Sequence, residues 1–435
     1  MGEINRKKFI KMMSLGAASS IIGPASFIPL SSGLLQAATT NEKLNRTFGD
    51  EIRKFNVDVP QEELTYLKQR LSQTRWPEKE PVSDWSQGVP LSKIQYLCEY
   101  WQKEYDWRRC EEMINNFGSY TTKIKGLDIH FLHIRSSESN ALPLLLLHGW
   151  PGSILEFHKI IGPLTNPNAY GKLGENVPES FHLVIPSMPG YGFSEKPDET
   201  GWNRERIADA WIELMSRLGY GDYWAAHGGD WGELIAMTIG NKAPKGLIGV
   251  HVSTIDLTPN SEEIEKSTST ELSYIEKANH FLHNLSGYAK EQATKPQTIG
   301  YALADSPVGQ AAWIYEKFYD WTDNDGSPER ILSLDEMIDN IMMYWLPNTG
   351  ASSARLYREN ADVTWGSIPV NVPVGVSQFP KDVTGGSRRW ADERFNNNVV
   401  YWNDLAKGGH FAALEQPGIL IDEIRKCFRL IRKNR

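Results

Sequence analysis

The 435-residue chain is poor in cysteine: Cys98, Cys110 and Cys427 are all it has. An odd number leaves at least one thiol without a partner in the chain, which excludes a disulfide framework as the basis of the fold. Cys98 and Cys110 could pair in an oxidising compartment, yet both sit in helix-like sequence and fit equally well as buried thiols. No cysteine or histidine spacing matches a metal site, so none is expected. Positive charge is outnumbered, with 46 Lys and Arg against 54 Asp and Glu. A net charge of -8 gives no electrostatic footprint for nucleic acid. Gly190-Tyr191-Gly192 lacks the third glycine of a dinucleotide fingerprint, and no cofactor is expected. There is no internal repeat and no low-complexity linker. Gly-x-Ser-x-Gly occurs nowhere, so a serine elbow is excluded.

What is abundant is aromatic: 15 Trp and 17 Tyr, enough for some to line an apolar pocket. The length suits one large α/β domain with additions. At the N-terminus, Arg6, Lys7, Lys8 and Lys11 precede a run without charge from Met12 to Asn41. That run ends in Leu34-Leu35-Gln36-Ala37-Ala38, a small-residue cleavage site. Asn5-Arg6-Lys7-Lys8-Phe9-Ile10-Lys11 resembles a twin-arginine signal with Lys in place of the second Arg. Residues 1–38 therefore read as an export signal, with a periplasmic destination. The alternative is a permanent anchor, which Pro24, Pro29 and the many Ser and Gly residues disfavour. No stable membrane insertion is expected once the signal is removed.

Residues 43–118 read as an accessory helical region. Pro60 sits at a helix start, and Leu64, Leu67 and Leu71 recur at helical spacing. A second helical stretch begins at Leu91. Residues 119–255 switch to strands. Thr122–Ile134 reads as a hairpin around a glycine turn. Leu142–Leu147 and Phe181–Pro186 are continuous apolar runs, as parallel strands buried on both faces require. A helix over 203–218 carries Ile207, Trp211, Ile212, Met215 and Leu218 on one face. Residues 256–365 lose the strands and read as a helical lid. Residues 366–435 resume the sheet and close with a helix bearing Ile421, Ile424, Phe428 and Ile431. The fold class is α/β, a mostly parallel doubly wound sheet with a helical insertion and an N-terminal helical extension.

The chemistry centres on Gly228-Gly229-Asp230-Trp231-Gly232, between a short apolar strand and a helical pattern. This is the outline of a nucleophile elbow with Asp230 where an esterase carries Ser. A carboxylate displayed there suits attack on an sp3 carbon, giving an alkyl-enzyme ester. The bland reading is a glycine-rich turn with an aspartate helix cap. The order nucleophile, acid, histidine then selects His410, in Gly408-Gly409-His410, as base. Asp382 follows the preceding strand as its orienting acid, with Asp392, Glu393 and Asp404 as competitors. An oxyanion hole needs two N–H donors. Trp231 follows the nucleophile, and Trp150 lies in His148-Gly149-Trp150-Pro151. A proton donor must come from the lid, whose tyrosines are Tyr274, Tyr288, Tyr301, Tyr315, Tyr319, Tyr344 and Tyr357. Spacing does not choose among them.

The segments His148-Gly149-Trp150-Pro151-Gly152-Ser153, Gly228-Gly229-Asp230-Trp231-Gly232, Asp305-Ser306-Pro307-Val308-Gly309 and Gly408-Gly409-His410-Phe411-Ala412 together resemble epoxide hydrolases of the microsomal type, from about residue 50 to the C-terminus. The resemblance implies the α/β-hydrolase fold, a small apolar epoxide as substrate, and two lid tyrosines that hydrogen-bond its oxygen. Those positions fall on Tyr288 and Tyr357. The family's acid is often Glu, where this chain has Asp382. Mammalian members are membrane-anchored, whereas this N-terminus reads as a cleaved signal. A haloalkane dehalogenase would share Asp230, His410 and Asp382 but would bind halide through N–H donors in place of phenols. A non-catalytic binding protein on the same fold would have no need of the intact set.

Overall fold

The computed structural model describes residues 51–170, 179–361 and 368–434. The export-signal reading of residues 1–38 and the lid boundary at 365 lie outside them. Among the described residues nine strands form one sheet, in the order β1-β2-β3-β5-β4-β6-β7-β8-β9. They are β1 Arg53–Lys54, β2 Ser119–Ile124, β3 Leu127–Ile134, β4 Leu142–Leu147, β5 Phe181–Pro186, β6 Trp224–Gly228, β7 Leu247–Val252, β8 Val374–Gln378 and β9 Val399–Asp404. The β1–β2, β2–β3 and β3–β5 pairs are antiparallel, and every pair from β5 to β9 is parallel.

Local chemistry accounts for this layout. Ile124 pairs with Leu127 across the two-residue turn Lys125-Gly126, both residues of which adopt positive φ. That turn matches the right-handed twist of the hairpin it joins. All six residues of β4 are buried, because the strand has parallel neighbours on both edges and helices on both faces. The helix Arg204–Arg217 buries Ile207, Ala208, Trp211, Leu214 and Met215. Ile212 and Leu218 only pack at the margin of the core, correcting the face expected for this helix. The buried set follows a period of 3.6 closely, and position 212 lies about 100° around the helix from 211.

The N-terminal region contributes more than helices. Arg53 and Lys54 form an edge strand, β1, which no apolar alternation announced. The helix Gln61–Ser72 follows Pro60 and buries Leu64, Leu67 and Leu71. The helices Leu91–Lys103 and Trp107–Phe117 bond to the insertion between β7 and β8. Tyr100 donates to Asp335 at 2.9 Å, Tyr105 to Asp339 at 2.6 Å, and Arg109 to both Asp339 oxygens at 2.8 and 2.7 Å. Cys98, Cys110 and Cys427 are free and buried, which decides for buried thiols.

The insertion is helical, with Ser269–His280, Gly287–Thr294, Pro296–Asp305, Pro307–Trp321, Leu334–Trp345 and Gly350–Glu359 as its main elements. Residues 259–267 separate as their own small unit around the helix Ser261–Glu265, which starts with a capping box between Asn260 and Glu263. Among the described residues no helix is long and apolar enough to cross a membrane.

Candidate active site

β6 runs to Gly228, and the helix Trp231–Lys242 begins three residues later. The chain can reverse so sharply only with little side-chain bulk. A Cβ on Gly228 would run into the backbone of Gly232, and one on Gly232 into the Leu147 carbonyl. Asp230, at the apex, adopts φ 53° and ψ -130°. This conformation strains any residue with a Cβ by roughly 1–3 kcal/mol. The turn places the carboxylate at the C-terminal end of the parallel strands.

The loop after β4 meets that carboxylate. The Trp150 N–H donates to Asp230 Oδ1 at 2.7 Å, and the Trp231 N–H also bonds the carboxylate. Gly149 passes so close that a Cβ there would overlap the Asp230 side chain. Lid side chains pin the same loop: Asn340 donates to the Pro151 carbonyl and the Tyr344 hydroxyl to that of Gly152, each at 2.7 Å. Asp230 Oδ2 lies 3.6 Å from His410 Nε2.

His410 Nδ1 lies 2.7 Å from Asp382 Oδ1, which also accepts from the Val383 N–H at 2.7 Å. The competing acids are elsewhere. Asp404 accepts from Gln378 and Trp402, Asp392 pairs with Arg388, and Glu393 is exposed. The histidine loop is locked on both sides. The His410 N–H donates to the Trp321 carbonyl of the lid at 2.8 Å. The Glu415 carboxylate accepts from the amides of Asp323, Gly409 and Phe411 at 2.8–3.0 Å.

These groups titrate as one cluster. Burial opposes charge on His410, but Asp382 and then Asp230 push it up to about 9. Burial likewise opposes ionisation of Asp382, and the His410 charge and hydrogen bond hold it below its ordinary value. Asp230 is raised by burial, and His410 and the two N–H donors restrain the rise. His410 thus lies between the carboxyl groups of Asp382 and Asp230. Glu156 is a member that sequence reasoning missed. Burial raises it to about 8, so it is protonated at neutral pH. It lies on the turn Ile154–Phe157 just beyond the Trp150 loop, and only that proximity could have flagged it.

Tyr288, on Gly287–Thr294, and Tyr357, on Gly350–Glu359, are both buried and close the site from the lid side. The Tyr288 ring stacks on Trp150 at 4.7 Å and 9°, and Tyr357 meets Trp231 edge-on at 4.9 Å. The two tyrosine rings are 5.7 Å apart. The Tyr357 hydroxyl has no hydrogen-bond partner of good geometry among the described residues, although Tyr288 is near enough for each phenol to affect the other's titration. Burial, and then nearby groups including the Asp230 charge, raise both phenols far above 10, so both are protonated donors. Lys317 was also missed; its ammonium lies 4.5 Å from the Tyr288 ring centroid. The other lid tyrosines are engaged elsewhere or exposed. Tyr274 accepts from Gln378, Tyr315 donates to Glu329, Tyr319 stacks on Trp85, Tyr344 holds Gly152, and Tyr301 is exposed. Asp230, His410, Asp382, Trp150, Trp231, Tyr288 and Tyr357 therefore stand around one point.

Known proteins resemble this chain over most of its length. Residues 52–157 match the family described as epoxide hydrolase N terminus, and residues 143–300 match the alpha/beta hydrolase fold. A Stigmatella aurantiaca protein described as a candidate epoxide hydrolase is 52% identical over 381 residues, covering 88% of this chain and 86% of the relative. Epoxide hydrolase 1 of Sus scrofa is 37% identical, with 88% and 89% covered. The solved Aspergillus niger epoxide hydrolase superposes with a TM-score of 0.78 at 31% identity, with 88% and 97% covered. The chain belongs to the epoxide hydrolase family, of the microsomal type, on the α/β-hydrolase fold.

Proposed function

We propose that the protein hydrolyses a small apolar epoxide to a vicinal diol through a covalent ester on Asp230. One observation carries this reading. Asp230 Oδ1 is tied to the Trp150 N–H at 2.7 Å, and Oδ2, 3.6 Å from His410 Nε2, is the oxygen placed to attack. In the first step Oδ2 bonds to an epoxide carbon and the carbon–oxygen bond of the ring breaks. The electron pair stays on the ring oxygen, which takes a proton from Tyr288 or Tyr357. In the second step His410 removes a proton from water as the water attacks the Asp230 carboxyl carbon. Charge then develops on Oδ1, where the N–H groups of Trp150 and Trp231 stabilise it. Collapse expels the alkyl oxygen, which takes the proton of the added hydroxyl to give the diol and restore the Asp230 carboxylate, and the proton held by His410 returns to the tyrosine oxygen.

Two protonated phenols near Asp230 favour an epoxide over a halide, whose departure needs no proton. Besides Asp230, His410 and Asp382, the Trp231 N–H is a feature that a dehalogenase would share. The test is diol formation from styrene oxide by the wild type and by Asp230→Ala, with chloroalkane as control. Diol from the wild type alone supports the proposal. Substantial diol from Asp230→Ala would sink the nucleophile assignment, and halide release without diol would favour the dehalogenase.

A further inference from the structure

We propose that His148 is a positioning residue, which sets the orientation of the Trp150 N–H through the Gly149–Trp150 peptide. This rests on the covalent reading above. The Gly149 carbonyl and the Trp150 N–H are opposite ends of one peptide group. At one end the Trp150 N–H donates to Asp230 Oδ1 at 2.7 Å. At the other, His148 Nδ1 lies 3.0 Å from the Gly149 carbonyl, which can only accept. His148 Nε2 is 3.3 Å from the Met188 N–H, which can only donate. Two backbone groups thus fix one neutral tautomer, with the proton on Nδ1. Burial holds the His148 pKa down at about 4, so the ring stays neutral across the working range. Its ring centroid lies 5.6 Å from that of Tyr191, the two rings tilted by 58°.

The consequence differs between the two steps. A donor into the Gly149 carbonyl polarises the peptide and strengthens its N–H. During hydrolysis that N–H faces a growing oxyanion, so stabilisation increases. During alkylation Asp230 loses charge, so the same bond gives no such help. Met188 lies in the loop after β5, which the lid also holds. Ser352 donates to the Gly190 carbonyl at 2.6 Å and Tyr191 to that of Ser353 at 3.0 Å. The helix that supplies Ser352 and Ser353 also carries Tyr357.

The two halves of the imidazole can be replaced separately. In His148→Asn the amide nitrogen falls near the position of Nδ1 and keeps the donor to Gly149. In His148→Gln the amide oxygen falls near Nε2 and keeps only the acceptor for Met188. Single-turnover kinetics with styrene oxide, with mass spectrometry of the Asp230 peptide, separate alkylation from hydrolysis. We expect the Gln variant to hydrolyse the ester about tenfold or more slowly and to accumulate it, with alkylation nearly unchanged. The Asn variant should retain most of the hydrolysis rate. Equal losses in both variants, or a parallel fall of both steps, would overturn the positioning role. A wild type that never forms the Asp230 ester would overturn the covalent reading and this role with it. Nitrogen NMR of histidine-labelled wild type, assigned by loss of a signal in either variant, is independent of variant activity. A ring protonated on Nε2 at pH 7 would also overturn the proposal.

Discussion

Asp382 Oδ1 and His410 Nδ1 are 2.7 Å apart, and both residues are buried. The carboxylate fixes the imidazole with Nε2 toward Asp230 and supports a positive charge that would otherwise be costly there. Asp382→Asn keeps the shape and removes that support. It should slow ester hydrolysis by roughly 10³–10⁴-fold and alkylation far less, so the ester on Asp230 should persist. Rapid-quench measurement of both steps checks this, and equal slowing of the two would count against the assigned role.

The strain at Asp230 makes a second prediction, one with opposite signs for stability and activity. Asp230→Gly relieves the positive-φ conformation and removes a buried carboxylate. The variant should be inactive yet more stable, by about 1 kcal/mol or more. Thermal denaturation of the two proteins side by side reads this directly. A lower melting temperature would show that the elbow is not strained in the way its dihedral angles imply.

Tyr288 and Tyr357 are argued to act in alkylation alone. Tyr288→Phe and Tyr357→Phe should each slow that step, by about 10²-fold if a single phenol carries the proton, and the double variant should be slower than either. Hydrolysis of a preformed ester should be little changed in all three. A phenylalanine variant that alkylates normally would remove its tyrosine from the mechanism.

The steps should also respond to pH in different ways. Alkylation needs Asp230 ionised, and burial has raised its pKa, so this step should fail toward acid sooner than for an ordinary aspartate. Hydrolysis needs neutral His410, so its rate should rise with pH. In the resting protein His410 is held up near 9, with Asp382 and then Asp230 the main raising influences. Esterification removes the Asp230 charge. The pKa governing hydrolysis should therefore lie below about 9, and pre-steady-state rates across pH 5–10 measure it. A hydrolysis rate that fell with rising pH would contradict general-base action by His410.

Much of this architecture was legible in the sequence because its signals are local. The continuous apolar run Leu142–Leu147 announces a strand with neighbours on both edges, and Lys125-Gly126 announces a hairpin. The elbow glycines are equally readable, since two backbones meet where their Cβ atoms would be. Long-range contacts were not legible. β1 is two polar residues that pair with the edge of β2, and Arg53 also bonds Asp128 of β3, a contact no local pattern encodes. Glu156 owes its raised pKa to burial beside His410 and Asp230, which no spacing encodes. The choice of Tyr288 and Tyr357 from seven lid tyrosines came from family resemblance. Its physical basis, rings against Trp150 and Trp231, exists only once the lid is folded.

Isotope transfer tests the covalent ester on Asp230 most directly. A single turnover of styrene oxide in 18O-labelled water should release unlabelled diol, because the alkyl oxygen that departs comes from Asp230. The 18O should then appear in the peptide holding Asp230. Label passing straight into the diol, with none in that peptide, would mean that water attacks the epoxide itself and would contradict the account.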